Sequence, residues 1–343
     1  RYEEAPGSNK NDFDFSATGE FEENFRFTTI NMAAFLEDCI QLNQHFSITP
    51  GIRFESLESE AEAEYELNGI ETETESEKAR TFILPGIGFQ YKTSDGGSMY
   101  ANISKSYQPV DYAQLVPLGS VSKVDPDMKD PKGWSADIGY RNNFRDIVNY
   151  DISLFYLTYD NRIGLVDMMD AAGNPYTLRT NLDKSIHKGI ESYVELNIAR
   201  AFRMNKIFGD LSIYNSFGYT RARYSAGVNK GRQVQYAPEI ISRIGGTYTK
   251  NRFTSSLQFS YQSSSFGDAA NTIETANPVI GRIPGYSVID WSVSAGYKKA
   301  TFRAGINNMA DKRYFTQRTD EYPGPGIIPS IGRSYYIGVG FNL

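Results

Sequence analysis

Nowhere in these 343 residues is there an apolar run of the roughly 18–20 residues that a membrane-crossing helix needs. Cysteine is almost absent too. The single Cys39 excludes an internal disulfide, and with only His45 and His187 a Cys/His zinc site has no ligand set. A net charge of −6 argues against general nucleic-acid binding, which rests on neutralising phosphates. Arg1-Tyr2-Glu3-Glu4 lacks the charged and apolar regions of a signal peptide. The expectation is that a signal was removed or that the chain begins inside something longer. Nothing in the sequence asks for a cofactor.

Aromatic residues are plentiful, with 24 Tyr and 21 Phe against two Trp. Aromatic enrichment without long apolar runs suits a transmembrane barrel, in which only alternate residues face lipid. A soluble β-sandwich or propeller has a similar composition, so composition leaves both open. Period-2 alternation and turn residues give about thirteen strands and no convincing helix. Their spans are 25–41, 45–67, 70–93, 98–108, 132–143, 148–160, 185–200, 209–222, 236–249, 252–265, 285–298, 301–309 and 333–343. In 285–298, Ile289, Trp291, Val293, Ala295 and Tyr297 alternate with Val288, Asp290, Ser292, Ser294 and Gly296. In 185–200, Ile186, Ile190, Val194, Leu196 and Ile198 alternate with Glu191, Tyr193, Glu195 and Asn197.

The connections favour the barrel. Short links at about 42–44, 94–97, 144–147, 250–251 and 299–300 alternate with long ones at 109–131, 161–184, 223–235, 266–284 and 310–332, while 201–208 is intermediate. Up-and-down membrane barrels sort their connections in this way, with tight periplasmic turns and long extracellular loops. By that parity the strands at 25–41 and 333–343 both run from outside to periplasm. A closed single-chain bacterial barrel has an even strand count and periplasmic termini. Thirteen strands that start outside therefore predict an incomplete barrel. Residues 1–24, where Asp12-Phe13-Asp14-Phe15 alternates briefly, read as a partial strand and extracellular loop ahead of a barrel segment at 25–343.

Five segments in order along the chain resemble the TonB-dependent receptor family. The most specific are Ala304-Gly305-Ile306-Asn307-Asn308-Met309-Ala310-Asp311-Lys312-Arg313-Tyr314, similar to the family's penultimate strand and its exit, and Gly332-Arg333-Ser334-Tyr335-Tyr336-Ile337-Gly338-Val339-Gly340-Phe341, similar to its final strand. Thr49 to Glu55, Tyr100 to Tyr107 and Lys188-Gly189-Ile190-Glu191 also fit. Two departures are Asp137, where the family more often has Glu, and the ending Phe341-Asn342-Leu343 in place of a terminal aromatic. The resemblance implies a transmembrane antiparallel barrel of 22 strands, about thirteen of them here, in the bacterial outer membrane. It also implies an N-terminal plug that binds TonB through a short box, neither of which this chain contains.

Residues 55–77 carry ten glutamates around Asn68-Gly69, the dipeptide of a two-residue type I′ turn. That turn sets Glu66, Glu64, Glu62 and Glu60 opposite Glu71, Glu73, Glu75 and Glu77 on one face. Its strands, about 23 residues at roughly 3.3 Å each, exceed the 9–11 that cross a membrane. The hairpin should project well beyond the bilayer. Opposed like charges destabilise a sheet, so the eight carboxylates form a solvated, aggregation-resistant edge, or are neutralised by a weak divalent-cation ladder, with cations free or bridging lipopolysaccharide phosphates, or by a basic neighbouring loop.

The long loops hold the groups that could bind an anionic, planar ferric chelate by bidentate hydrogen bonding and cation–π contact: Tyr107, Gln108 and Tyr112; Arg162 and Arg179; Arg232, Arg282 and Arg318; and Tyr322. Asp111, Asp167, Asp170, Gln235 and Asp320 accompany them. Glu191, Glu195, Asp290 and Arg303 read as lumen wall. Ser185 and His187 share a strand face without forming a triad, so an enzyme is not expected. The sequence reading is thus energy-coupled outer-membrane import of a ferric siderophore or ferric citrate, with TonB, the chelate and outer-membrane lipid and lipopolysaccharide as partners. The alternative is a passive channel or adhesin-like barrel of about fourteen strands.

Overall fold

The computed structural model describes residues 2–5, 23–67, 70–110, 112–115, 123–171, 173, 175–182, 184–274, 278–319 and 326–341. Its main sheet follows chain order through fourteen antiparallel strands. These are β1 (Tyr2–Ala5), β2 (Glu23–Glu37), β3 (Phe46–Leu67), β4 (Ile70–Lys92), β5 (Ser98–Tyr107), β6 (Lys132–Phe144) and β7 (Val148–Tyr159). They continue with β8 (Ser185–Asn197), β9 (Asp210–Tyr224), β10 (Ile240–Lys250), β11 (Phe253–Gln262), β12 (Tyr286–Tyr297), β13 (Ala300–Asn307) and β14 (Ser334–Phe341). All thirteen expected strands are present. The extra one, β1, pairs with the loop end of β2, Tyr2 opposite Arg26 and Ala5 opposite Glu23. The expected alternation at residues 12–15 lies outside the described residues. Among the described residues β1 and β14 are the two ends of the sheet and do not pair with each other.

Cross-strand register puts one alternate set on an apolar face. Ile244, Phe259 and Ile289 line up across β10, β11 and β12, and Trp291 lines up with Ile306 and Tyr335 across β12, β13 and β14. Large side chains on this face stand exposed, among them Ile244, Leu257, Phe302 and Ile337. The Trp291 indole N–H is satisfied by Ser255 Oγ at 3.1 Å, so the ring presents no unpaired donor on that face.

The other face is polar, and four of its aromatics lie over cross-strand glycines. Tyr100 opposes Gly139, Phe155 opposes Gly189, Tyr214 opposes Gly245 and Tyr336 opposes Gly305. A Cβ built on any of these glycines would meet the facing ring at 2.8 Å or less. At these four positions the missing Cβ leaves room for the facing ring to lie across the glycine.

Three features depart from the sequence reading. The strand expected to run to residue 41 stops at Glu37 and resumes as Ile40–Gln41, because Pro50 opposite Asp38 has no N–H to complete the pair; only Asp38 N to Pro50 O (3.3 Å) forms. The strand expected at 185–200 ends at Asn197, whose side chain caps a helical turn, Ile198–Ala201, by accepting from Arg200 N at 2.9 Å. A second turn, Asn205–Phe208, fills the rest of the intermediate link. Finally, the long loops contain small hairpins: Ile163–Met169 with Pro175–Asn181, Ser265–Phe266 with Arg282–Ile283, and Phe315–Thr319 with Gly326–Pro329.

Candidate ligand-binding loops and wall

The tall hairpin β3–β4 keeps one register throughout, from Phe46 opposite Tyr91 to Leu67 opposite Ile70. Its glutamates face one another in pairs: Glu60 with Glu77, Glu62 with Glu75, Glu64 with Glu73 and Glu66 with Glu71. Glu60, Glu62, Glu73, Glu75 and Glu77 share the strand phase of Phe54 and Ile83 and continue it toward the loop end. Arg26 on β2 approaches Glu62 at 3.7 Å. Among the described residues no group of three or more His, Cys, Asp or Glu side chains converges as a metal site would.

The hairpin's opposite face carries a docked loop. Val110, Leu115 and Met128 from the 108–131 connection are buried against Phe27 and Ala61. Arg80 reaches Asp130 at 3.0 Å and Ser59 Oγ at 2.5 Å, and Asp130 also accepts the Val110 N–H at 2.9 Å. Lys78 Nζ donates to the Met128 carbonyl. The next long connection then locks onto this one. Asp125 N donates to Arg179 O (2.9 Å), Thr180 Oγ1 donates to Asp125 (2.5 Å), and Lys129 and Asn181 exchange two bonds. The Thr180 hydroxyl, followed by the Asp127 amide, holds the Asp125 carboxyl below the usual carboxylate range.

A second loop cluster is built around Arg318. Its guanidinium donates to Pro278 O (2.6 Å) and Arg282 O (3.2 Å) and lies 5.3 Å from the Phe315 ring centroid, while Tyr236 OH donates to Arg318 O at 3.1 Å. Asn271 exchanges bonds with the Gln233 backbone. Three loops, from β9, β11 and β13, are joined in this way.

The expected ligand residues fall between these clusters and the wall. Tyr107 is committed to the wall: its hydroxyl donates to Glu55 at 2.5 Å and its ring stacks on Phe82 at 3.7 Å. Glu55 also accepts from Arg53 (2.6 Å) and Asn31 (2.7 Å). Gln108 is exposed at the foot of the docked loop. Arg162 is half-buried with its Nε lacking a partner, and Arg179 is half-buried in the first cluster. Arg232 bonds locally to Asn229 (3.0 Å) and Arg282 to Ser264 (3.0 Å), both side chains exposed. Tyr112 opens the turn Tyr112–Leu115, but its side chain lies outside the described residues, as does all of Tyr322. Arg318 and Arg282 are therefore brought together, and Arg318 serves as a clamp.

Sequence reasoning missed Arg80, Asp130, Glu55 and Tyr236. It also missed a wall cavity of about 470 Å³ lined by Tyr100, Asp151, Glu191, Tyr193 and Arg243. Within it Tyr100 OH donates to Asp151 at 2.8 Å. The signal was available in part, since Glu191 and Tyr193 share a strand phase. The partners on β5, β7 and β10 follow only from register.

The exit of β13 explains the motif that was singled out there. Asn308 is buried at positive φ (51°), exchanges bonds with the Lys312 backbone, and takes Asp290 as acceptor for its own N–H. Asp311 then accepts the Arg333 N–H at 2.9 Å, and a Cβ on Gly332 would meet Asp311 Oδ1 at 2.8 Å. The Asn-Asn-Met-Ala-Asp-Lys and Gly-Arg segments thus form one latch between the last two strands.

The model of the TonB dependent receptor-like β-barrel family matches residues 1–309. The chain belongs to that family. Among solved structures, this receptor chain is similar to the ferric citrate transporter FecA in its unliganded form (25% identity, TM-score 0.74, covering 94% of this chain and 47% of that one). The siderophore receptor PiuA from Acinetobacter baumannii matches at 19% identity and TM-score 0.72, covering 92% and 44%. The copper transporter OprC matches at 16% and 0.69, covering 94% and 50%. The receptor chain spans about half the length of these structures. The family is one of transport receptors, and its members are outer-membrane proteins.

Proposed function

We propose that this chain forms barrel wall and loops of a TonB-dependent outer-membrane importer of a ferric chelate, a siderophore or ferric citrate. The observation that carries the reading is the similarity to a ferric citrate transporter over 94% of the chain at 25% identity. The loop layer supports it. Its clustered arginines and aromatics suit an anionic planar chelate, with Arg162, Arg179, Arg232 and Arg282 as contact residues and Arg318 as the clamp that positions them. The apolar face meets membrane lipid, and the polar wall faces the lumen. The coupling protein TonB acts through an N-terminal plug of the kind the family resemblance implies. Residues 1–24 belong to a partial strand and extracellular loop, and residues 25–343 to the barrel. The passive-channel alternative of about fourteen strands needs β1 to close on β14, and the described sheet is open there.

The test is binding and uptake of a labelled panel of ferric citrate, ferric catecholates, ferric hydroxamates and a copper chelate by cells expressing the full-length receptor. One ferric chelate should bind at the surface and accumulate only in energised cells that contain TonB. TonB-independent entry of small neutral solutes would instead establish the channel. Accumulation of only the copper chelate would overturn the iron reading while leaving the importer in place.

A further inference from the structure

The link between β8 and β9 is unlike the other connections at the short-turn end. Where the sheet otherwise turns in a few residues, residues 198–208 build two helical turns, and four bulky apolar side chains on them are left uncovered. Phe202, Met204, Ile207 and Phe208 are 72%, 45%, 69% and 56% exposed. Two polar side chains at its start turn back toward the strand ends. Arg200 lies 3.4 Å from Asp210 at the start of β9 and 3.7 Å from Asp146 in the neighbouring turn. Asn197 caps the first turn and also reaches Asp210 at 3.3 Å. Arg200 is thus held against strand ends, while the apolar side chains, with Arg203 among them, are exposed.

Its position is fixed. Tyr248 OH donates to Phe208 O at 2.8 Å, and Tyr248 itself stands on the apolar face, opposite Leu211 and 6.3 Å from the Phe253 ring. Gly209, at φ 88°, turns the chain from the segment into β9, and a Cβ there would lie 2.5 Å from Thr249 O. At this same end the apolar face carries an aromatic set, Phe144, Tyr248, Phe253, Tyr297 and Phe341, as the interfacial girdle of a transmembrane barrel does. The four exposed side chains extend that girdle.

We infer that residues 198–208 form a membrane foot, whose apolar side inserts at the headgroup–acyl boundary of the inner phospholipid leaflet. Two arguments select lipid over a protein partner. The segment is continuous with the lipid-facing band through Tyr248. Its pattern, exposed apolar side chains flanked by Arg200 and Arg203, is that of an interfacial amphipathic segment, which buries roughly 5–10 Å into the boundary. The foot gives the barrel a lateral brace where the neighbouring turns have none. The inference rests on membership of the barrel family and is independent of the cargo.

The experiment uses the full-length receptor in vesicles of phosphatidylethanolamine and phosphatidylglycerol, with Cys39→Ser and a nitroxide on Ile207→Cys, Met204→Cys or, as a water reference, Lys299→Cys. Collision with oxygen, which concentrates in the acyl region, is compared with collision with a water-soluble nickel complex. Labels at 207 and 204 should show an oxygen-to-nickel ratio several-fold above the reference. A ratio equal to the reference would place the segment in water and overturn the inference. Protection from both reagents would mean a protein covers the face, and would overturn it equally. Removing the tether with Tyr248→Phe should lower the ratio at 207 while heat-modifiable barrel migration on gels is unchanged.

Discussion

Replacing Asp130 by alanine tests how the first loop cluster is held. Arg80 and Asp130 side chains are only 7% and 9% exposed, and the same carboxylate binds both Arg80 Nη1 (3.0 Å) and Val110 N (2.9 Å). Arg80 Nε has no partner already. Without Asp130, Arg80 keeps only the Ser59 hydroxyl, and a buried cation left without its anion costs about 3–5 kcal/mol. Against this stands burial of Val110, Leu115 and Met128, worth about 1.5–3 kcal/mol each as upper bounds. The loop should therefore stay docked on average but open roughly 10² to 10³·⁵ times more often, at 1.4 kcal/mol per decade. Amide hydrogen exchange of the described part of 108–131, Met128 above all because its N–H keeps Asp125 O as acceptor, should accelerate by about that factor, while the strands keep their protection. The double change R80A/D130A removes the stranded charge and should exchange more slowly than D130A alone. Exchange in D130A within about threefold of the parent, or a double variant worse than the single, would refute the reasoning.

Further outcomes follow from the same contacts. Gly189→Ala places a methyl 1.9 Å from Tyr219 O and 2.8 Å from the Phe155 ring. At about 1–3 kcal/mol for overpacking, it should lower the temperature at which heat-modifiable gel mobility is lost. Asn308→Ala breaks the latch beyond β13, about 1–3 kcal/mol for the buried backbone groups left unpaired, and should speed proteolysis within 309–333. Asp125 is held below the ordinary carboxyl value in the folded state. Its contribution to docking is therefore fully present above the unfolded Asp value of about 3.9 and is lost as pH falls through the lower folded value. Exchange of the Asp125 amide should accelerate in that acid range, and Asp125→Asn should remove this pH dependence. The Glu60–Glu77 ladder has Arg26 beside it and no converging metal site among the described residues. Hairpin thermal stability should thus be equal in excess chelator and in millimolar calcium; a calcium-dependent rise would establish the cation ladder.

Sequence alone determined where thirteen of the main-sheet strands lie, though not where 25–41 and 185–200 break off, and which side of each is apolar. Side chains alternate with a period of two, so a single strand such as 285–298 declares its faces without knowledge of its neighbours. Loop parity was legible for a similar reason, since a two- to four-residue turn and a twenty-residue loop differ in length whatever they touch. The glutamate pairing was legible because an Asn-Gly turn fixes register for the whole hairpin. What only the tertiary structure decided was convergence across strands and loops. Glu55 meets Tyr107 across 52 positions, Arg80 meets Asp130 across 50, and Tyr236 meets Arg318 across 82. No local periodicity encodes such distances. The same limit hid the helical link at 198–208: its apolar residues have no strand period, and Arg200 meets Asp146 across 54 positions. Local alternation built the wall, and long-range packing decided that Arg318 became the clamp of its loop cluster.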